Sequence, residues 1–240
     1  MEKELTPESL LNEIKSIDQI LTPHMPVNVF IQEAENLFVW AGEDKEALIA
    51  RGFTADLFDK LPMAIDVCRK AEAEWYKTRR VHNLIEKEWI KKSDIAYNLR
   101  NTLLAELDFA FYNNKALQGR IDLAREGNSH SDMIQDLANL SQLGNENLDL
   151  LAKINFDTSL LAQAQTLGSE IANLLAQVNG ERTETHETKI LRDKAFTYTK
   201  HIVDEMRRYG KFVFRTNKER LKGYRSEYRR KKVKIKEETE

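Results

Sequence analysis

The sequence predicts an all-α protein, and three observations support that fold class. Apolar residues recur at spacings of three and four along most of the 240-residue chain, as on the buried face of a helix. Regular alternation of apolar and polar residues, the mark of strands, is nearly absent. The 9 glycines and 4 prolines are too few for the many tight turns of an all-β sandwich.

The N-terminal segment, residues 1–61, is predicted to be a cap of short helices. Thr6 and Pro7 are a typical helix start, a capping hydroxyl followed by proline at the first helical position. Gly52 is expected to end one helix and Thr54 to begin the next. The expected helices cover about residues 7–21, 27–40, 44–51 and 55–61.

Residues 62–127 are predicted to form a first long helical hairpin. Apolar residues from Ala64 to Trp89 follow alternating spacings of four and three, which indicates a bundle stripe. Ser93 or Asp94 would cap the returning helix, and a short helix would follow Asn114 and end near Gly127.

A second hairpin is predicted in residues 157–224, after a linker with short helices in residues 128–156. Its first helix would run from Thr158 to Val178 and end at Gly180. The remaining residues, 225–240, form a tail that is first basic and then acidic.

An internal repeat supports this division of the chain. The segment that begins Phe109-Ala-Phe111 and continues through Asn114-Lys115 matches Phe212-Val-Phe214 and Asn217-Lys218, at an offset of 103 residues. The match predicts two duplicated hairpins that pack as a four-helix-type bundle, with Asn114 and Asn217 as equivalent N-caps. The aromatic pairs would then have the same packing role at the end of each hairpin.

The segment from Phe212 to Arg230 resembles parts of uncharacterised bacterial all-helical bundle proteins. The resemblance covers about a tenth of the chain. It implies a helical bundle and carries no implication about activity.

The residues that catalytic or metal chemistry requires are missing from the sequence. No histidine follows a carboxylate at the Glu-x-x-His spacing of di-iron bundles, and no glycine-rich phosphate loop or dinucleotide motif is present. The single cysteine, Cys68, is expected to be a core residue, and His82 a histidine at the core edge with an alternative role as a pH-sensitive group. We therefore expect a protein that is not an enzyme and has no catalytic residue, metal or cofactor.

Charge is unevenly distributed along the chain. Residues 1–206 hold 23 Lys and Arg against 34 Asp and Glu, whereas residues 207–236 hold 14 against 2. Aromatic residues are interleaved with these cations, as in proteins that bind nucleic acids through phosphates and stacking. The alternatives are a segment folded onto the acidic body, an acidic protein partner and, less favoured, an anionic membrane surface. The residues expected to be free for a polyanion are Arg225, Arg229, Arg230, Lys231, Lys232, Lys234 and Lys236.

These observations favour a non-enzymatic structural or protein-interaction role, with an unidentified protein as partner. The alternative is a nucleic-acid-binding protein that uses residues 207–236. No apolar run is long enough to span a bilayer, and the N-terminus is unlike a signal peptide, so a cytoplasmic protein without membrane insertion is expected.

Overall fold

The protein is all-α, as the sequence predicts. The computed structural model describes residues 6–230, which are about 81% helical and contain no strand. None of the helices in this part of the chain is long and apolar enough to cross a membrane. Their bounds are α1 (Pro7–Lys15), α2 (Val27–Gly42), α3 (Lys45–Ile49), α4 (Ala55–Ala110), α5 (Lys115–Arg125), α6 (His130–Asn145), α7 (Leu148–Ala152), α8 (Ser159–Val213) and α9 (Lys218–Gly223).

The predicted start of α1 is confirmed. The Thr6 hydroxyl accepts a hydrogen bond from the Ser9 amide at 3.1 Å, and the Ser9 hydroxyl accepts one from the Thr6 amide at 3.0 Å. This reciprocal capping box satisfies two amides that the first helical turn would leave unpaired, and Pro7 lacks the amide that would be a third.

The two predicted hairpins are wrong, because each contains one uninterrupted helix. α4 has 56 residues and passes through Ser93 and Asp94, while α8 has 55 residues and passes through Gly180. The Ser93 hydroxyl donates to the Ile90 carbonyl inside the helix and caps nothing. A single serine or glycine disfavours a helix interior by about 1 kcal/mol at most, which buried apolar stripes on both sides outweigh.

The chain forms two compact units, each built from segments that are distant in sequence. The first unit comprises the described residues up to Arg79 and those from Glu184 onward, and the second comprises Arg80–Thr183. Each long helix therefore contributes one part to each unit. This division differs from the consecutive segments predicted from the sequence, because helices far apart along the chain share a core.

The core of the first unit is lined by α1, α2, α3, the first part of α4 and the last part of α8. Ridges of apolar side chains from these helices exclude water from a single cluster. Its largest fully buried side chains include Phe30, Phe53, Phe196 and Tyr224.

The core of the second unit includes residues that the sequence analysis placed in a linker. Residues 128–156 contain α6 and α7, which contribute Leu137, Leu140 and Leu151 to the core beside the remaining parts of α4 and α8. A buried ion pair lies here: Arg100 Nε donates to Asp136 Oδ2 at 2.7 Å. Arg100 also donates to the Ala124 carbonyl, so this guanidinium joins α4, α5 and α6.

The order of elements repeats at the offset of 103 residues, over a longer stretch than the sequence match. The first and last residues of α6 and α7 lie 103 positions after those of α2 and α3. Two residues at the same offset, Gly52 and Asn155, have positive φ angles of 96° and 55°. These are the residue types that adopt this conformation most readily.

The predicted equivalent caps are confirmed. The Asn114 side chain accepts from the Ala116 amide at the start of α5, and the Asn217 side chain accepts from the Arg220 amide at the start of α9. Each aromatic pair divides in the same way: Phe111 and Phe214 pack inward, whereas Phe109 and Phe212 are exposed. That the two halves arose by duplication stays a prediction.

Candidate anion-binding site

Ion pairs connect the basic segment, by which we mean residues 207–230, to the rest of the first unit. Arg207 donates to Glu33 at 2.8 Å, and both side chains are nearly buried. Arg220 pairs with Asp44 at 2.6 Å and with Glu43 at 2.8 Å, while its guanidinium lies 4.1 Å from the centre of the Trp40 ring. Arginine suits such sites because its planar fork can bond carboxylates and stack on an aromatic ring together.

Tyr224 makes residues 207–224 part of the fold. Its side chain is fully buried, stacks on Phe214 with ring centres 5.7 Å apart, and donates its hydroxyl proton to Asp44 at 2.6 Å. A Cβ atom at Gly210 would lie 2.0 Å from the Tyr224 ring, so only glycine lets that ring approach α8. These contacts favour the alternative in which this stretch folds onto the acidic body.

Glu33 anchors the residues that follow α9. It accepts a hydrogen bond from the Tyr228 amide at 2.7 Å and another from the Ser226 hydroxyl at 3.1 Å. Burial alone would raise the pKa of Glu33, but these bonds and Arg207 bring it below its ordinary value. A charged carboxylate therefore holds residues 226–228 against α2 at neutral pH.

Residues 225–230 close one side of a cavity of about 790 Å³, which we call the cationic cleft. Among residues 6–230, seven cationic side chains and one carboxylate line it. Three of the predicted polyanion-binding residues, Arg225, Arg229 and Arg230, are among them. The cleft is lined by His24, Met25, Phe30, Lys200, Asp204, Arg207, Arg208, Lys211, Arg225, Ser226, Arg229 and Arg230. The other four predicted residues, Lys231, Lys232, Lys234 and Lys236, lie outside the described residues.

The cations of the cleft are only partly neutralised by the chain. Lys200 pairs with Asp204, and three arginines pair with glutamates: Arg207 with Glu33, Arg208 with Glu205 and Arg230 with Glu227. Within residues 6–230, Lys211, Arg225 and Arg229 have no carboxylate within 4.0 Å. A positive potential therefore remains in the cleft.

His24 and Arg207 show the effect of this potential and of burial. Burial and the nearby charges of Arg229 and Lys200 lower the pKa of His24 below its ordinary value, although Asp204 opposes them. Arg207 Nε is buried and finds no hydrogen-bond partner within residues 6–230.

Sequence reasoning found part of this site. Lys200 and Asp204 were missed, although the spacing of residues 200, 204, 207, 208 and 211 places them on one face of a helix. That periodicity could have extended the basic cluster by two turns. His24 carried no local signal, because only the fold brings residues 24–30 to α8.

The residues considered for other chemistry do not form a second site. Burial raises the pKa of the Cys68 thiol to about 12, so it is not a thiolate at neutral pH. His82 is partly buried, with its Nε2 atom 4.0 Å from Glu86 and its Nδ1 atom unpaired within residues 6–230. The described part of the chain contains no group of three or more His, Cys, Asp or Glu residues that could hold a metal ion.

Comparison with known proteins found no relative. No family model matches the chain, and no curated protein or solved structure is significantly similar to it. The resemblance to bacterial helical-bundle proteins therefore stays a prediction.

Proposed function

We propose that this protein is a non-enzymatic binding protein whose cationic cleft holds a polyanionic partner. The observation that carries the proposal is the composition of the cleft, in which seven cationic side chains and one carboxylate face a single cavity. The whole chain has a net charge of −2, so this concentration of positive charge is local. Like charges gathered together oppose folding, and a bound anion relieves that repulsion.

The basic segment contains some side chains that are engaged in the fold and others that are exposed, and this difference supports the proposal. Arg207 and Arg220 are engaged with carboxylates of the first unit, and Tyr224 belongs to its core. Lys211, Arg225 and Arg229 are exposed, and within residues 6–230 no carboxylate pairs with them. The former hold the fold together, and the latter are available to a partner.

The exposed cations of the cleft suit a group that presents two anionic oxygens. Two of them are arginines, whose planar forks bond two oxygens of one phosphate or of one carboxylate at once. A nucleic acid, which carries one phosphate per nucleotide, is accordingly the alternative to an acidic protein segment as partner.

Fluorescence anisotropy on the full chain tests the proposal. The probes are labelled inorganic polyphosphate, a labelled single-stranded oligonucleotide and labelled polyglutamate, each titrated at several salt concentrations. We expect binding at low salt that weakens steeply as salt rises, because each neutralised phosphate releases about one counterion. The order of affinities identifies the chemical class of the partner.

A matched pair of triple variants locates the binding. K211S/R225S/R229S removes three exposed cations of the cleft, whereas R215S/K218S/K222S removes three exposed cations outside it. The first should weaken binding by at least about tenfold, and the second should have a small effect. If no probe binds at low salt, or if both variants weaken binding equally, the proposal is wrong.

A further inference from the structure

We infer that the ligand of the cationic cleft is a compact small molecule bearing several phosphate groups, and not a nucleic-acid strand. The inference rests on the proposed function, since it names the ligand class for the same site. Three features support it: the size of the cleft, the local contacts of cations outside it, and a described lining in which His24 is the single exposed ring.

The cleft has the size of a small-molecule site. Its volume of about 790 Å³ lies within the range of roughly 300–1,000 Å³ that is typical of such sites. Three segments surround it: residues 24–30, residues 200–211 of α8, and residues 225–230. The charges therefore converge on one volume, which matches a ligand whose phosphates are close together.

Among residues 6–230, Arg215, Arg220 and Lys222 lie outside the cleft and are engaged by neighbouring groups. Arg220 is held by Asp44 and Glu43, and Lys222 pairs with Glu219 at 2.9 Å. Arg215 donates to the carbonyl of Phe212 and lies over its ring. A single strand is usually bound along a groove whose cations follow the backbone for several nucleotides, and these cations are occupied locally.

The described lining of the cleft contains two rings, of which His24 is exposed and Phe30 is not. Phe30 is 2% exposed and packs against Phe196, with ring centres 4.7 Å apart. His24 meets Phe196 edge to face, and its Nε2 atom lies 3.3 Å from Arg229. Single-strand binders stack successive bases on several aromatic rings, and one exposed imidazole provides no such series, so this lining favours phosphate contacts over base contacts.

The donors of the cleft match clustered phosphate oxygens. Lys211, Arg225 and Arg229 supply charged donors that pair with no carboxylate in residues 6–230. A rigid, densely charged ligand can meet these exposed cations together, because its phosphate oxygens accept several charged hydrogen bonds at once.

Isothermal titration calorimetry of the full-length protein in about 150 mM salt tests this inference. At this salt concentration the long-range electrostatic attraction between the protein and an extended strand is screened. The probes are inositol hexakisphosphate, inorganic phosphate and a 12-nucleotide single strand. We expect one hexakisphosphate per chain, bound at least about tenfold more tightly than the oligonucleotide and about a hundredfold more tightly than inorganic phosphate. K211S/R229S should lose at least about tenfold in affinity, and R215S/K218S should retain wild-type affinity.

The outcomes separate this inference from the function on which it rests. If the oligonucleotide binds more tightly than hexakisphosphate and K211S/R229S abolishes its binding, the ligand class is wrong and the proposed function stands. If hexakisphosphate binds K211S/R229S as well as wild type, its site lies elsewhere and the inference is overturned. If no probe binds, both proposals fail. All four substituted side chains are exposed, and circular dichroism will show that the variants fold.

Discussion

His24 makes the cationic cleft sensitive to pH. Its side chain lies beside Arg229, Lys200 and Arg207, with Asp204 as the opposing carboxylate, and burial adds to the cationic charges in lowering its pKa. A bound polyanion reverses the sign of the local potential and so raises the pKa of His24. Binding of the anion and protonation of His24 therefore favour each other.

This coupling predicts that H24Q changes the pH profile of binding. Affinity for inositol hexakisphosphate should fall less in wild type than in H24Q as pH decreases from about 7.5 to about 5.5, because only wild type gains a positive charge through the ordinary histidine range. Protonation of the ligand lowers the affinity of wild type and H24Q alike. The measurement is therefore the difference in affinity between the two proteins at each pH. H201Q, at an exposed histidine outside the cleft, is the control. Parallel profiles for wild type and H24Q would exclude a role for His24.

Glycine has opposite roles at two positions of α8, and this shows which part of the helix is constrained by packing. A Cβ atom at Gly180 would meet no atom within 4 Å, while a Cβ atom at Gly210 would overlap the Tyr224 ring. Gly180 is thus an exposed helical residue that could be alanine, and Gly210 is required by a close approach.

We expect G180A to stabilise the protein and G210A to destabilise it. Alanine at position 180 should add about 0.5–1 kcal/mol to the free energy of unfolding, since alanine favours a helix interior over glycine. Alanine at position 210 should remove about 1–3 kcal/mol, because Tyr224 must leave its position beside Phe214 and Asp44. Urea unfolding followed by circular dichroism measures both. Loss of stability in G180A would mean that α8 breaks at Gly180, as the sequence alone suggested.

Burial along the two long helices is uneven. In α4, residues 79–88 include no buried side chain, and in α8 the same holds for residues 176–187. By contrast, residues 195–206 of α8 contribute Ala195, Phe196, Ile202, Val203 and Met206 to a core. Helical stability in proteins comes mainly from the packing of an apolar face, so the middle of each long helix depends more on its own hydrogen bonds than the rest of the helix does.

Hydrogen exchange should reveal this difference directly. Amides of residues 79–88 and 176–187 should exchange at least about tenfold faster than those of residues 61–71 and 195–206, because opening them exposes only partly buried side chains. Mass spectrometry of peptides from the intact protein measures the four segments together. Equal protection in all four would show that the long helices open only with global unfolding.

The sequence by itself determined what depends on neighbouring residues. The all-α class followed from the spacing of apolar residues, and the caps at Thr6, Asn114 and Asn217 followed from short motifs that act within one helical turn. The basic character of residues 207–230 was equally visible, and with it six cations of the cationic cleft, three of which were predicted to be free for a polyanion.

The tertiary structure decided everything that depends on contacts between distant segments. Whether Ser93 and Gly180 end a helix depends on the core that buries the stripes on either side, so local signals predicted two turns that do not exist. Whether a cation binds its own chain or is available to a partner depends on which carboxylate lies opposite it. Arg220 meets Asp44 across 176 residues, while Arg229 meets His24 in the cleft. Such pairings are set by the packing of the helices, because charge attraction acts through space and carries no signal along the sequence.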